Sequence, residues 1–405
     1  MRQPTVPPTA GLPLQLGDLW PSGAGSLAGR LAEWLGVDAV QLECSGTSAL
    51  MVALRSLQAL RPGRSEVIAP AYTCPLVALA ISQCGLQLRL CDLRADVLDM
   101  DPVCLQHLCS ERTLAVLPTH LCGRVADVDA ALSCARAVGA YVIEDAAQAL
   151  GARSGAASVG LKGDIGFFSL AVGKGLSTFE GGVLVAREPS MRAALAAAGA
   201  STRFSPWWEL RRSIELLGYA LLYRPSGLRM AYGRPLQDSL ARGDWVEAAG
   251  DDFGDLIPQH RLGRWRQRVG ARALRRLAAF QRQTSVQAAL RIAQLQASGL
   301  EVVQDAVPQA QGVWPVILLR MPNPQARDAV LRAHWGDGCG LSLPFVHVLP
   351  DYGRYDHVLS AARDDAVGQA RNWAQRLLAI SNSPWLDEAR FAQLSAQIRA
   401  AAGLE

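Results

Sequence analysis

Lys174 is the only charged residue among the fourteen from Gly166 to Phe179, in the stretch GDIGFFSLAVGKGLSTFEGG. Of the forty Lys plus Arg in the chain, only Lys162 and Lys174 are lysines. An exposed cation can become arginine at little cost. Arginine, however, keeps its proton and is no amine nucleophile, whereas a desolvated lysine sheds its proton readily. A lysine kept inside a nearly uncharged stretch of an arginine-rich chain therefore points to amine chemistry. Twenty-nine residues earlier, AYVIEDAAQALGA ends an apolar strand on Glu144 and Asp145. Further upstream, ECSGTSALMVALRSL places Ser-Gly-Thr-Ser between a strand and a helix. There Gly46 lets the backbone approach an anion, and Thr47 and Ser48 offer hydroxyls and amides at the positive end of a helix dipole. Ser169, five residues before Lys174, adds another donor.

Pyridoxal 5'-phosphate needs all three features. A lysine forms its Schiff base, a carboxylate keeps its pyridine nitrogen protonated so that the ring accepts electrons, and a helix N-terminus binds its phosphate. Taken singly, each feature has another use. A strand-end carboxylate also caps a following helix, and an ordinary N-cap needs one hydroxyl only.

The elements that must position these residues follow from the rest of the chain. Its 405 residues are half apolar, enough for two domains with a large core. The runs AVQLEC, EVIAP, LQLRLC, TLAVLP and AYVIE are separated by helix-like segments. That βαβ rhythm predicts a mostly parallel sheet with helices on both faces and its ligand at the carboxyl ends of the strands. IGFFSL and GGVLVA bracket Lys174 and are expected to close the sheet. We place a large α/β domain at residues 1–250, including an apolar and aromatic insertion over 200–256, and a smaller α+β domain at 251–405. A net charge of +4 without a basic block predicts no nucleic-acid partner. Nine scattered cysteines with no CxxC pair give neither a disulfide framework nor a metal site, and read as thiols of a reducing compartment. Prolines at positions 4, 7, 8 and 13 break the apolar run a signal peptide would need, so a cytoplasmic location is expected. The twenty uncharged residues from Ala69 to Leu88 are long enough for a membrane span, but Pro70, Pro75 and Gly85 favour a buried strand, turn and helix.

The blocks SGTSAL, EVIAPAYTCP, LCDLRADVLDMDP, LPTHLCGRVADVDA, VIEDAAQALGA, VGLKGDIGFFSLAVGKGLSTFEGGVLV and AQRLLAISNSPWL resemble, in order, those of the DegT/DnrJ/StrS aminotransferases. These are pyridoxal-phosphate transferases of fold type I that aminate keto sugars, usually nucleotide-linked. The resemblance covers residues 40–190 well and the remainder in patches. It implies Lys174 as the Schiff-base lysine and Asp145 as the partner of the pyridine nitrogen. It places Gln148 near the phenolic oxygen and Gly46, Thr47, Ser48 and Ser169 around the phosphate. His120 of PTHLCG falls where the family has a histidine near the active site, and a strand-end histidine can equally be structural. The resemblance further implies a homodimer, glutamate or glutamine as amino donor, and amination rather than the dehydration run by relatives that lack the lysine.

The chain departs from the family pattern in three places. Cys74 stands where an aromatic ring stacks on the cofactor, with Tyr72 nearby on the other side of the alternating strand. Ile257, Pro258 and Gln259 replace a Gly-Tyr-Asn that reaches the neighbouring subunit, where Gln259 retains an amide for the partner's phosphate. The 200–256 region is longer and more apolar than usual. It reads as an extra helical layer or, through 207–235, as a membrane-surface element. The departures leave two alternatives open: a non-catalytic binding or regulatory protein on the same scaffold, and a membrane-docked enzyme acting on a lipid-linked precursor.

Overall fold

A computed structural model describes residues 4–20, 23, 25–362 and 365–404. The βαβ rhythm forms β1 (Gln41–Glu43), β2 (Glu66–Pro70), β3 (Gln87–Cys91), β4 (Thr113–Val116) and β5 (Tyr141–Asp145). A small hairpin, β6 (Arg153–Ser154) and β7 (Ala157–Ser158), separates these from β8 (Ile165–Ser169) and β9 (Gly182–Val185). The sheet is ordered β1-β9-β8-β5-β4-β2-β3. Strands β8, β5, β4, β2 and β3 run parallel, β9 is antiparallel to β8, and β1 is antiparallel to β9. IGFFSL and GGVLVA thus pair with each other as neighbours, and the edge beyond them is taken by AVQLEC. Every residue of β2 and β8 is buried, as parallel strands covered on both faces require.

Helices α1 (Leu27–Leu35), α2 (Gly46–Leu60), α3 (Pro75–Gln83), α4 (Pro102–Leu108), α5 (Asp129–Ala137), α6 (Pro189–Gly199) and α7 (Pro206–Leu222) accompany this sheet. The Ala69–Leu88 stretch is the end of β2, a turn, α3 and the start of β3, with Pro75 in the first turn of α3 where no amide is needed. A 34-residue helix, Arg264–Ala297, then leads to β10 (Glu301–Val302), β11 (Ala310–Gln311), β12 (Val316–Arg320), β13 (Leu341–Ser342) and β14 (Leu377–Ser381). Strand β11 joins the β6–β7 hairpin, and the other four form an antiparallel sheet ordered β10-β12-β14-β13.

The insertion over 200–256 is helical and serves both sheets. On α7, Leu216, Tyr219 and Ala220 pack into the core that also holds Leu170 and Leu176 of the Lys174 loop. Leu236 and Ala248, further along the insertion, share the core of the four-stranded sheet. The N-terminal segment ties the parts together. Val6 N–H donates to Gly338 O (2.9 Å), Ala10 N–H to Pro315 O (2.8 Å) and Leu12 N–H to Gly175 O (2.7 Å), beside Lys174.

Arg266 is fully buried and clamps the far end of the Lys174 loop. Its Nε and Nη2 donate to Glu209 of α7 at 2.9 and 2.6 Å, and Nη1 donates to the carbonyls of Thr178 and Glu180 at 3.2 and 2.7 Å. Arg266→Met leaves a buried carboxylate and two carbonyls without their donor. It should cost roughly 3–5 kcal/mol in urea unfolding. A loss below about 1 kcal/mol would show that the clamp does not hold this region.

Candidate active site

Gly46, Thr47, Cys74, His120, Asp145, Gln148, Ser169 and Lys174 meet on the wall of one cavity of about 700 Å³. It lies at the carboxyl ends of the parallel strands, and Val316, Ser342 and Ala379 of the small sheet close its far side. The N-terminus of α2 forms one part of the wall. Ser45 is its N-cap, with Oγ accepting from Ser48 N–H at 3.0 Å. The amides of Gly46 and Thr47, first and second in the helix, have no acceptor within it. Close packing at this corner needs glycine twice. A Cβ on Gly46 would stand 2.9 Å from Ser169 Cβ, and one on Gly182 would stand 2.1 Å from Ser45 O.

Lys174 sits in a tight turn, its N–H donating to Ala171 O at 3.2 Å between Gly173 (φ 80°) and Gly175 (φ 81°). Its side chain is half-buried, facing the cavity, and has no hydrogen-bond or ion-pair partner among the described residues. Burial lowers its pKa, opposed by weaker attraction to Cys74, Cys122, Asp145 and Asp251. Burial pushes the thiols of Cys74 and Cys122 up to about 12, so both are neutral near pH 7. The anionic partners are therefore Asp145 and Asp251, and burial raises both of them.

The adjacent carboxylates at the end of β5 have different surroundings. Glu144 is saturated: it accepts from Gly160 N–H (2.9 Å), from Lys162 N–H and Gly163 N–H (2.6 Å each), and from His120 Nε2–H (3.0 Å). Burial alone would raise its pKa, but His120 and these amides bring it below the usual carboxylate value. Asp145 uses Oδ1 to accept from Ala147 N–H at 3.0 Å, and its other oxygen has no hydrogen-bond partner among the described residues. His120 is fixed at both nitrogens, since Nδ1 accepts from Ala126 N–H at 3.0 Å. It is thereby held as the Nε2–H tautomer and orders the loop rather than carrying protons. Gln148 Oε1 accepts from Cys122 N–H at 2.7 Å, which leaves its NH₂ as a donor.

Two residues expected on this wall lie off it, and Gln259, expected at the neighbouring subunit's site, is bonded within its own chain. Ser48 is buried beside Glu43 and Cys44, because the third position of α2 faces the strand behind it; Ser45 stands on the wall instead. Tyr72 points away from Cys74, as alternation requires, and its hydroxyl donates to Phe345 O at 2.9 Å. Gln259 accepts through Oε1 from Arg55 of its own α2 at 2.7 Å. The wall also includes Cys122 and Glu180, which lie within quoted blocks but are not singled out there, and Asp251 and Arg212, which lie in none of them. Asp251 is held by Val346 N–H (2.8 Å) and Tyr352 OH (2.5 Å). Among the described residues no group of three or more His, Cys, Asp or Glu side chains could hold a metal ion.

Residues 23–220 match the model of the DegT/DnrJ/EryC1/StrS aminotransferase family. Over these residues, just under half of its length, the chain is similar to this family. Protein MosB of Rhizobium meliloti is 37% identical over 178 residues, which are 43% of this chain and 35% of MosB. A dTDP-3-amino-3,4,6-trideoxy-alpha-D-glucose transaminase of Streptomyces venezuelae is 28% identical over 344 residues, 85% of this chain and 77% of that one. The match to MosB thus spans about a third of that protein, while the match to the transaminase spans most of it. The aminotransferase TlmJ of Streptoalloteichus hindustanus superposes with a TM-score of 0.72 at 19% identity, over 98% of this chain and 99% of that one. The fold is accordingly that of the fold type I aminotransferases. The family matches include both sides of the cavity's sheet wall, α2 and the Lys174 loop.

A buried amine should lower stability in the cofactor-free protein. Its folded pKa is depressed, so between the folded and unfolded values the unfolded chain binds more protons and stability rises with pH. Lys174→Met should stabilise the cofactor-free protein at pH 7, and the gain should shrink as pH rises toward about 10, where the unfolded lysine also becomes neutral. Thermal melts of both proteins across that range measure it. A destabilised Lys174→Met at pH 7 would contradict the assigned burial.

Proposed function

We propose that the chain is a pyridoxal-phosphate aminotransferase that moves an amino group from glutamate or glutamine to a nucleotide-linked keto sugar. The observation that carries this is the unpaired Lys174 amine facing the same cavity as the open oxygen of Asp145 and the free amides of α2. The donor set fits the cofactor. Lys174 would hold its aldehyde carbon, Asp145 its ring nitrogen, and the amides of Gly46 and Thr47 with the hydroxyls of Thr47 and Ser169 its phosphate. The NH₂ of Gln148 is the donor suited to its phenolic oxygen. Bound there, pyridoxal phosphate supplies an aldehyde that condenses with amines and a ring that takes up electrons from the neighbouring carbon.

The protein's own part is positioning and proton movement. Asp145 keeps a proton on the ring nitrogen by staying anionic against it, and the Ala147 amide holds that carboxylate in place. Lys174 Nζ, once free, takes a proton and returns it; burial favours the neutral amine that this requires. Glu144 and His120 pin the strand end and the 120–126 loop so that Asp145 and Gln148 keep their aim. The sugar class rests on the Streptomyces venezuelae relative, a transaminase of a dTDP-linked sugar. We further propose a homodimer and a cytoplasmic location. No helix among the described residues is long and apolar enough to cross a membrane.

Lys174→Arg keeps the charge and most of the length but cannot react with an aldehyde. Turnover with glutamate and a panel of nucleotide-linked keto sugars, read by product mass, should fall by at least about 10³-fold, on the scale of losing both a covalent anchor and a general base. The folded variant should still bind the cofactor. Near-normal turnover would overturn the reading. Cys74→Phe tests the missing ring: it should leave cofactor affinity unchanged or improve it by about 1 kcal/mol. A sharp loss in a folded variant would mean that another group already occupies that face.

A further inference from the structure

The outer face of α7 carries a line of exposed apolar side chains. Trp207, Leu210, Ile214, Leu217 and Leu221 recur at intervals of three and four residues, one stripe of a helix, and Trp207, Ile214 and Leu221 are 76%, 60% and 56% exposed. The opposite face is fully used: Leu216, Tyr219 and Ala220 are in the core, and Glu209 is bonded to Arg266. Phe204, two residues before the helix, is exposed as well, as is Met230, eight residues beyond its end. A monomer rarely leaves so long a contiguous apolar stripe in water without a partner for it.

The charges nearby indicate what covers it. Between residues 201 and 237 there are six arginines against two glutamates, a surplus equal to the net charge of +4 of the whole chain. Both glutamates are taken, Glu209 by Arg266 and Glu215 by Arg211 and Arg212. Arg203, Arg224, Arg229 and Arg234 are exposed and have no ion-pair partner among the described residues. Arg211 stands one turn after Trp207, and Arg224 stands three residues after Leu221, so cations border the stripe along and beyond its length. Long side chains at such borders bury their stems and keep their heads at a polar boundary. A protein partner would be met by a patch of mixed polarity. A ridge of Trp, Leu and Ile, with Arg211 on one flank, its only nearby acid Glu215 already paired, and unpaired arginines before and after the helix, matches instead the depth profile of an anionic bilayer surface.

We infer that α7 lies in the plane of an anionic phospholipid surface, with Trp207, Leu210, Ile214, Leu217 and Leu221 inserted between headgroups and the arginines of 203–234 on the phosphates. The helix docks on the membrane and does not span it. This goes beyond the aminotransferase reading and stands independently of it. Arg212 and Glu180 lie on the cavity wall and pair with each other at 2.5 Å, so α7 runs beside the cavity mouth and a docked enzyme would face the membrane near its substrate entrance.

The test is co-sedimentation of the full-length protein, loaded with pyridoxal phosphate, with vesicles of phosphatidylcholine alone and of phosphatidylcholine mixed with phosphatidylglycerol. The wild type should sediment with the mixed vesicles and be released by high salt. Trp207→Ser/Ile214→Ser/Leu221→Ser should bind them at least about tenfold more weakly. Arg224→Gln/Arg229→Gln/Arg234→Gln should lose the preference for mixed over neutral vesicles. Light scattering should give both variants the wild-type mass, and circular dichroism the wild-type fold. Three results would overturn the proposal: no sedimentation of the wild type, unchanged binding by the folded apolar variant, or a smaller particle mass for that variant. The last would make the stripe a contact between copies of this chain.

Discussion

A half-buried amine that faces the cavity without a counter-ion among the described residues is the constraint around which the site is arranged. Charged, Lys174 would have to give up hydration with only weak attraction to the carboxylates of Asp145 and Asp251 in return, and its lowered pKa expresses that cost. The loop that carries it could relieve the cost by swinging outward, and the fold prevents this at both ends. Leu12 N–H holds Gly175 O on one side, and Arg266 holds the carbonyls of Thr178 and Glu180 on the other. Leu170 and Leu176 anchor the same loop in the core. The site thus stores unfavourable burial in a frame rigid enough to keep it, a common trade between stability and activity.

The end of β5 illustrates how two neighbouring carboxylates acquire different work. Glu144 faces a cluster of amides and His120 and is fully bonded, which makes it a structural anchor. Asp145, one residue on, points to the opposite face of the strand and into the cavity, with one amide and an open oxygen. The difference follows from strand alternation and from the loop 160–163 that wraps the Glu144 side only. The neutral thiols of Cys74 and Cys122 leave Lys174 and Asp145 as principal charges of this wall, together with Asp251 opposite.

Much of this could be read in the sequence because it depends on local pattern. The spacing of apolar runs predicts the parallel sheet that forms, and the one lysine in a nearly uncharged stretch, among thirty-eight arginines, picks out a side chain that lies on the cavity wall. Ser-Gly-Thr-Ser between strand and helix marks the N-terminus of α2 that lines the cavity, although the helix turn puts Ser45 on the wall and hides Ser48. What escaped depends on distant contacts. The bonds of His120 to Ala126 and Glu144, of Asp251 to Tyr352, and of Arg266 to Glu209 span from 6 to 101 residues and have no periodic signature. Likewise, the apolar character of 200–256 was plain, but composition could not say which face of α7 would be buried. Tyr219 and Tyr223, whose hydroxyls reach Leu12 O and Thr9 O, decide that by docking on the N-terminal segment.

In the proposed reaction Lys174 alone is the amine that meets the aldehyde, and Lys162 provides the internal control. Lys162 lies at the surface, its Nζ paired with Asp129 at 2.7 Å, far from any need for a neutral amine. Protein loaded with pyridoxal phosphate, reduced with borohydride, digested and mapped by mass spectrometry tests this most directly. The account predicts the reduced adduct on the peptide containing Lys174 and none on that containing Lys162. An adduct on Lys162, or none on Lys174 in protein that binds the cofactor, would contradict it.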